Sequence, residues 1–139
     1  MEDKPCEKVE ISEAEIKNAC EEWLQYQQNL GNLFYLRLNS GRAFVKRGDK
    51  YYAIQLCEAG TADFFVLKKE TLPIHHIPCE SRNLSQATEV VFARIIFLEI
   101  KSAKGKLRTE QKCFKTLVEG FGAEYYIIRS IEELAEILK

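Results

Sequence analysis

Apolar positions near the start of the chain follow the spacing of a helix. After Ser12, apolar side chains recur on one helical face at Ile16, Ala19, Cys20, Trp23 and Leu24. This spacing predicts an amphipathic helix that ends at about Asn29, just before a Gly-containing turn. Ser12 with Glu15 three residues later has the pattern of a capping box, which predicts the start of the helix.

The next part of the chain carries the pattern of strands. Three short runs of aromatic and β-branched residues, separated by Gly-containing turns, lie at residues 33–38, 43–46 and 51–56. They predict three consecutive strands in a meander. Nearly continuous apolar runs at 64–67, 90–92 and 94–100 predict strands that are buried on both faces at the centre of the sheet. The proline-containing segment 68–89 predicts an irregular connection or insertion.

The C-terminal third returns to helical spacing. Apolar residues after Thr109 predict a second helix that stops at 120–122, a strand follows at 125–128, and Ser130 is the expected N-cap of a last helix at 131–138. The predicted order is α-β-β-β-β-β-α-β-α. With 46% hydrophobic residues in 139, we expect one α/β domain over 1–139, with a mixed central β-sheet flanked by helices.

Composition limits the kinds of partner and compartment. The net charge of -1 predicts no general attraction to polyanions, so any nucleic-acid binding must be local. Five cysteines without a Cys-x-x-Cys pair predict free thiols, with Cys20 and Cys113 packed in the core. His75, His76 and Cys79 lack the paired spacing of structural zinc sites. No signal-peptide pattern or apolar run of roughly 20 residues occurs, so we expect a soluble intracellular protein and no membrane partner.

Three charged residues lie at the ends of predicted buried strands. Glu99 and Lys101 share a face at the end of an apolar strand because side chains alternate along it, and Asp63 opens another strand. Two carboxylates and a lysine could therefore converge. Carboxylate oxygens suit Mg²⁺ or Mn²⁺, and such a site can hydrolyse phosphodiesters. The simpler alternative for Glu99 and Lys101 is a surface ion pair of little energetic value.

These residues also resemble a known family. Asp63 followed by Glu99-Ile100-Lys101 resembles the PD-(D/E)xK nuclease superfamily. The continuation through a Gly-containing loop to Glu110-Gln111 resembles the virus-type replication-repair nuclease (VRR-Nuc) family, as do Glu13 in the first helix and the segment Arg37-Leu38-Asn39-Ser40-Gly41. Two departures are Ala62, where many superfamily members have Pro, and the long 68–89 connection.

The resemblance implies a restriction-endonuclease-like core and a set of site residues. Asp63, Glu99 and the backbone carbonyl of Ile100 would bind Mg²⁺ or Mn²⁺, and Lys101 would act on the nucleophile. Gln111 would support the site, and Glu13 would complete it from the first helix. Glu15 is the competing choice for that last position.

We expect DNA as the partner. A basic run beside the site suits phosphate contacts, and the predicted DNA-binding residues are Arg37, Asn39, Ser40, Lys104, Lys106, Arg108 and Lys112, with Lys115 and Arg42 as further candidates. The alternative for the basic run is a solvated charged face, and Asn39-Ser40-Gly41 could equally be a turn chosen for its backbone geometry.

The resemblance further implies a homodimeric endonuclease for branched or Holliday-junction-like DNA in replication, repair or recombination. Such a protein would act in the cytoplasm or nucleoid, in the host cytoplasm if viral, or in the nucleus if eukaryotic. The alternatives are a non-catalytic DNA-binding or assembly module that has this fold, and a nuclease that acts on RNA.

Overall fold

The computed structural model describes residues 10–73 and 89–139. Its elements, in chain order, are α1 (Glu13–Asn29), β1 (Leu33–Arg37), β2 (Arg42–Arg47), β3 (Lys50–Gln55), β4 (Phe64–Pro73), β5 (Glu89–Ile100), α2 (Thr109–Gly120), β6 (Glu124–Ile128) and α3 (Ile131–Ile137). The predicted element order is confirmed. The capping box of Ser12 and Glu15 and the Ser130 N-cap are also confirmed by their hydrogen bonds.

Four of the strands form one mixed sheet in the order β1-β4-β5-β6. β1 and β5 each pair antiparallel with β4, whereas β6 pairs parallel with β5 after the α2 crossover. The predicted mixed α/β architecture is therefore confirmed, and so is the central position of β4 and β5. This arrangement brings the start of β4 and the end of β5 to the same edge of the sheet.

The predicted meander of the first three strands is wrong. β1 pairs with β4, while β2 and β3 pair only with each other and form a separate two-stranded hairpin. Leu33 gives β1 a buried position against the core, but neither hairpin strand has a fully buried residue. Similar β-propensity in neighbouring runs therefore does not establish that they pair, since pairing depends on which faces can be buried.

The prediction for 68–89 needs a second correction. β4 continues to Pro73 and β5 begins at Glu89, so both ends of this segment belong to a regular antiparallel ladder. The apolar residues at 90–92 are exposed, and burial is confined to the inner half of β5. The remainder, residues 74–88 with His75, His76 and Cys79, lies outside the described residues.

The core lies between one face of the sheet and helices α1 and α3. It is built from Ile16, Cys20, Leu24, Leu33, Phe64, Val66, Ile96, Leu98, Ile100, Ile128, Leu134 and Leu138. Burial raises the pKa of the Cys20 thiol to about 11, with smaller contributions from Glu132 and Glu133. The core position predicted for Cys20 is confirmed.

Helix α2 covers part of the opposite sheet face. Phe114 stacks edge-on against Phe97 at 5.2 Å between ring centroids, but no residue of α2 is fully buried. Cys113 is exposed, so its predicted core position is wrong. The apolar spacing on α2 was sufficient to predict a helix, whereas the depth of burial depends on how much sheet lies opposite. Within the described chain, no helix is long and apolar enough to cross a membrane.

Candidate active site

Asp63 stands immediately before β4 and is held there by backbone hydrogen bonds. Its N–H donates to the carbonyl of Leu98 at 3.0 Å, and its carbonyl accepts from the N–H of Leu38 at 2.8 Å. The side chain is held as well, because Asp63 Oδ2 accepts from the N–H of Ile100 at 2.8 Å. The carboxylate is thus fixed beside the end of β5.

Glu99 and Lys101 form a buried pair at that end. They are 3% and 7% exposed, and Lys101 Nζ donates to Glu99 Oε1 at 2.7 Å. Ile100 between them turns to the other face and joins the core. The surface ion-pair interpretation is therefore wrong. Two charged groups buried this far carry a desolvation cost, so their presence calls for a particular role.

Gln111 connects this pair to the start of α2. Its Nε2 donates to Glu99 Oε1 at 2.5 Å, and its Oε1 accepts from the N–H of Arg108 at 2.9 Å. One amide side chain thus caps the first turn of the helix and orients the buried carboxylate. The sequence spacing between Glu99 and Gln111 brings the two side chains into direct contact.

Helix α1 contributes Glu13, whose Oε1 lies 3.9 Å from Lys101 Nζ. Glu15 instead closes the capping box, where its Oε2 accepts from Ser12 N–H at 2.8 Å. Of the two glutamates considered from the sequence, Glu13 is the one that lines the pocket.

Lys17 was missed in the sequence. It lies one helical turn after Glu13, and its Nζ forms a hydrogen-bonded ion pair with Asp63 Oδ1. Each of the two strand carboxylates is consequently paired with an ammonium group. The only sequence signal was the i,i+4 spacing from Glu13, which is too common on exposed helix faces to single out one lysine.

The electrostatics of the site oppose ionisation of Glu99. Burial is the main cause that raises the pKa of Glu99, and the negative charges of Asp63 and Glu13 raise it further against the opposing effect of Lys101. The buried hydroxyl of Tyr125 has no hydrogen-bond partner within 10–73 and 89–139. Burial, followed by the charges of Glu99 and Asp63, raises the pKa of that hydroxyl. Burial and the neighbouring carboxylates thus both act against an additional negative charge at this point of the site.

The site opens into a pocket of about 330 Å³, lined by Glu13, Ser40, Ala59, Gly60, Thr61, Asp63, Glu99, Lys101, Arg108, Glu110 and Gln111. Gly60 shapes its wall. The φ of Gly60 is +90°, and a Cβ at this position would lie 2.6 Å from the backbone carbon of Glu110. Only glycine permits this approach of the loop before β4 to the start of α2.

Arg129 holds the loop that follows Lys101. Its guanidinium donates to the carbonyl of Ser102 and, at 2.9 Å, to the carbonyl of Gly105. The arginine follows β6 directly, so the parallel neighbour of β5 also positions the loop that leads to α2. This second contribution was not evident in the sequence because it depends on strand order.

The predicted DNA-binding residues do not all gather at the site. Ser40 and Arg108 line the pocket, and Lys106 and Lys112 are exposed on the loop and helix beside it. Lys104 is exposed and paired with Glu10 at 3.0 Å.

The two candidates from the end of β1 have other partners. Arg37 Nη1 donates to Glu21 Oε2 on α1 at 2.5 Å. The carbonyl of Asn39 accepts from Cys57 N–H at 2.9 Å, as part of a turn at the base of the hairpin.

The donors of the pocket suit a hard cation that retains water. Among the described residues, no three His, Cys, Asp or Glu side chains form a ready-made metal cluster. Mg²⁺ is commonly bound through one or two carboxylates, with water and substrate phosphate completing its coordination. Asp63 and Glu99 fit this pattern, and the backbone fixes Asp63 beside the residue whose carbonyl is the expected third donor.

No protein-family model matches the chain, and no curated protein or solved structure is significantly similar to it. The pocket and the sequence motif that predicted it are consequently the features that bear on function.

Proposed function

We propose that this protein is a Mg²⁺- or Mn²⁺-dependent endodeoxyribonuclease with a restriction-endonuclease-like core. The observation that carries the proposal is the pocket in which Asp63, Glu99, Lys101 and Gln111 meet. Four residues spread over almost fifty positions share one cavity, and the two most buried of them are charged. A structural ion pair alone requires neither the second carboxylate nor the adjacent cavity.

Each residue has a chemical task in this proposal. Asp63 and Glu99 would bind the cation together with the carbonyl of Ile100, and the bound metal would polarise the scissile phosphate and lower the pKa of a bound water. Lys101 would position the attacking water or neutralise the charge that develops on the phosphate. Gln111 keeps Glu99 oriented through its 2.5 Å hydrogen bond.

Lys17 has an additional role in the proposal. In the structure the ammonium of Lys17 donates a hydrogen bond to Asp63 Oδ1. A metal cation that binds this oxygen must displace the ammonium. Lys17 would then be free to contact a substrate phosphate, as would Arg108 at the rim. Glu13 would complete the site on the side of α1.

The choice of branched or Holliday-junction-like DNA, and of an intracellular role in replication, repair or recombination, is proposed from the VRR-Nuc resemblance alone. A homodimer is proposed on the same basis, since two sites would be needed to cut two strands. The exposed side chains of Phe34, Leu36 and Ile95 on the α2 side of the sheet support this proposal, because they form an apolar surface that a second copy could cover.

One observation favours a second candidate, a non-catalytic nucleic-acid-binding or assembly module. Both strand carboxylates are already paired with lysines, Asp63 with Lys17 and Glu99 with Lys101. A protein that used these pairs only for stability would bind DNA and leave it intact in every metal. Cleavage of RNA in place of DNA is the remaining enzymatic alternative.

The deciding experiment compares wild type with Asp63→Asn on labelled four-way junction, flap, single-stranded and duplex DNA, and on RNA, with Mg²⁺, Mn²⁺ or EDTA. Asparagine can still accept from the N–H of Ile100 but loses the carboxylate. We expect metal-dependent DNA cleavage in wild type, its loss in Asp63→Asn, and its retention in the control Glu136→Gln, an exposed acid-to-amide change on α3. Intact nucleic acid in all metals would reject the proposal in favour of the non-catalytic module.

A further inference from the structure

The hairpin of β2 and β3 stands apart from the rest of the molecule. It packs against no other helix or strand of the described chain, and all its residues except Ala43 are exposed. Two large rings are among the most exposed apolar groups, Phe44 at 70% and Tyr51 at 68%. A two-stranded hairpin in water has little stability of its own, so this arm is expected to have a use that compensates for its exposure.

The charge of the hairpin differs from that of the whole molecule. It carries four cationic side chains, Arg42, Lys46, Arg47 and Lys50, against the single acidic residue Asp49, whereas the chain has a net charge of -1. The arm is thus a local basic surface on a slightly acidic protein. Two copies of this surface would repel each other, which disfavours a second copy of the chain as its partner.

Cations and rings alternate on one face of the hairpin. Arg42, Phe44 and Lys46 point to the same side of β2, since side chains alternate along a strand. Tyr51 pairs across from Lys46 and lies on this face too, with Lys46 Nζ 5.8 Å from the centre of its ring. Alternating cations and exposed rings suit a single nucleic-acid strand, whose phosphates attract the cations and whose bases stack on the rings.

The base of the hairpin lies at the rim of the pocket. Ser40 forms an isolated bridge with Cys57, and Gly41 and Leu56 close the base through a 2.9 Å hydrogen bond. Ser40 itself lines the pocket. A six-residue strand reaches roughly 20 Å, so a strand bound in the pocket could continue along the hairpin.

We propose that the β2–β3 hairpin is a nucleic-acid-binding arm that holds an unpaired strand next to the pocket, through phosphate contacts from its cations and base stacking on Phe44 and Tyr51. The inference rests on the proposed function for the nature of the substrate. It adds a binding surface that is separate from the residues of the pocket. Binding in EDTA therefore tests it independently of cleavage.

The test is fluorescence anisotropy in EDTA with a labelled 20-nucleotide single strand and the matching duplex. We expect Arg42→Glu/Lys46→Glu to weaken binding of both probes by at least about tenfold and to flatten the salt dependence, because phosphate contacts are lost. Phe44→Ala/Tyr51→Ala should weaken single-strand binding by roughly tenfold or more, with little effect on the duplex. Lys69→Glu/Lys139→Glu, two exposed charge reversals outside the hairpin, is the control matched for net charge.

Several outcomes would overturn the inference. Wild-type affinity in both hairpin variants would reject the arm even if the protein cleaves DNA, whereas failure of the proposed function alone would appear as binding without cleavage. If Phe44→Ala/Tyr51→Ala changed the oligomeric mass in solution and left nucleic-acid affinity unchanged, the arm would instead be a protein-contact surface. Circular dichroism and thermal unfolding should match wild type, because no residue of the hairpin is fully buried.

Discussion

Two clusters of mostly charged side chains lie beside the central sheet, and they differ in the burial of their carboxyl groups. The site cluster consists of Glu13, Lys17, Asp63, Glu99, Lys101 and Gln111. The Arg94 cluster consists of Lys68, Glu70, Arg94 and Glu124, near the middle of the β4–β5 ladder, where Lys68 pairs with Arg94. In the Arg94 cluster the guanidinium makes two hydrogen bonds to Glu124, at 2.7 and 2.6 Å, and one to Glu70 at 3.3 Å.

The pKa shifts of the carboxyls run in opposite directions. Hydrogen bonding to Arg94 holds the pKa of Glu124 below its ordinary value, so folding favours its charged form. Burial raises the pKa of Glu99, so folding disfavours its charged form. One cluster uses charge to stabilise the fold, while the other retains charge that the fold opposes. A stability cost at a concentrated, pocket-lining cluster is the pattern expected of a functional site.

The largest expected effect comes from Lys101→Met, which keeps most of the buried stem and removes the ammonium. On the proposed mechanism, cleavage should fall at least about 100-fold, since the ammonium group that would contact the reacting phosphate is lost. The variant should also unfold at lower temperature, because Glu99 loses its buried partner. Initial cleavage rates and thermal unfolding measure both effects.

The matched variant Lys101→Met/Glu99→Gln removes both charges of the pair. Its thermal stability should recover while cleavage stays absent, which separates the chemical role of the pair from its structural role. Wild-type cleavage in Lys101→Met would contradict the mechanism.

Arg94→Met should give the opposite result. We expect the free energy of unfolding to fall by about 1 kcal/mol, because a partly exposed bidentate pair contributes modestly. The cleavage rate should be unchanged, since Arg94 does not line the pocket. Urea unfolding and the cleavage assay would be run in parallel, with Lys69→Met as the control for loss of an exposed cation outside the pocket and the hairpin. Reduced cleavage by folded Arg94→Met would break the distinction between the clusters.

The smallest expected effect concerns the pH dependence of stability, to which Glu99 and Glu124 should contribute with opposite signs. Between the ordinary glutamate pKa of 4.5 and the raised pKa of Glu99, the native state binds more protons at Glu99 than the unfolded state does. The contribution of Glu99 should therefore make the protein less stable as pH rises through this window. Glu124 behaves oppositely: its stabilising contribution is present above 4.5 and is lost as pH falls through its lowered pKa.

Urea unfolding in EDTA across the acid to neutral range, with Glu99→Gln and Glu124→Gln, measures both contributions. Relative to wild type, Glu99→Gln should gain stability with rising pH, and Glu124→Gln should lose it. Parallel pH profiles for the two variants would show that the clusters do not differ in the way the structure indicates.

The sequence determined the helices, the order of elements and the central part of the site. Apolar spacing and cap residues act locally, so the bounds of α1 were predictable from Ser12 and Asn29. Strand alternation likewise placed Glu99 and Lys101 on one face. The sequence left two glutamates, Glu13 and Glu15, as candidates from α1. The structure separates them, because Glu15 closes the capping box and Glu13 lines the pocket.

Tertiary structure decided which strands pair, how deep the charges lie and which other residues join them. β1 pairs with β4, although β2 and β3 lie between them in the sequence. This pairing lets alternate residues of β1 face the core, and it depends on contacts between residues that are distant in sequence. The same pairing brings Lys17 to Asp63 and leaves the hairpin outside the sheet. Local sequence patterns report the propensity and periodicity of each helix or strand. Burial and ion pairing depend instead on which faces of these elements pack together in the folded protein.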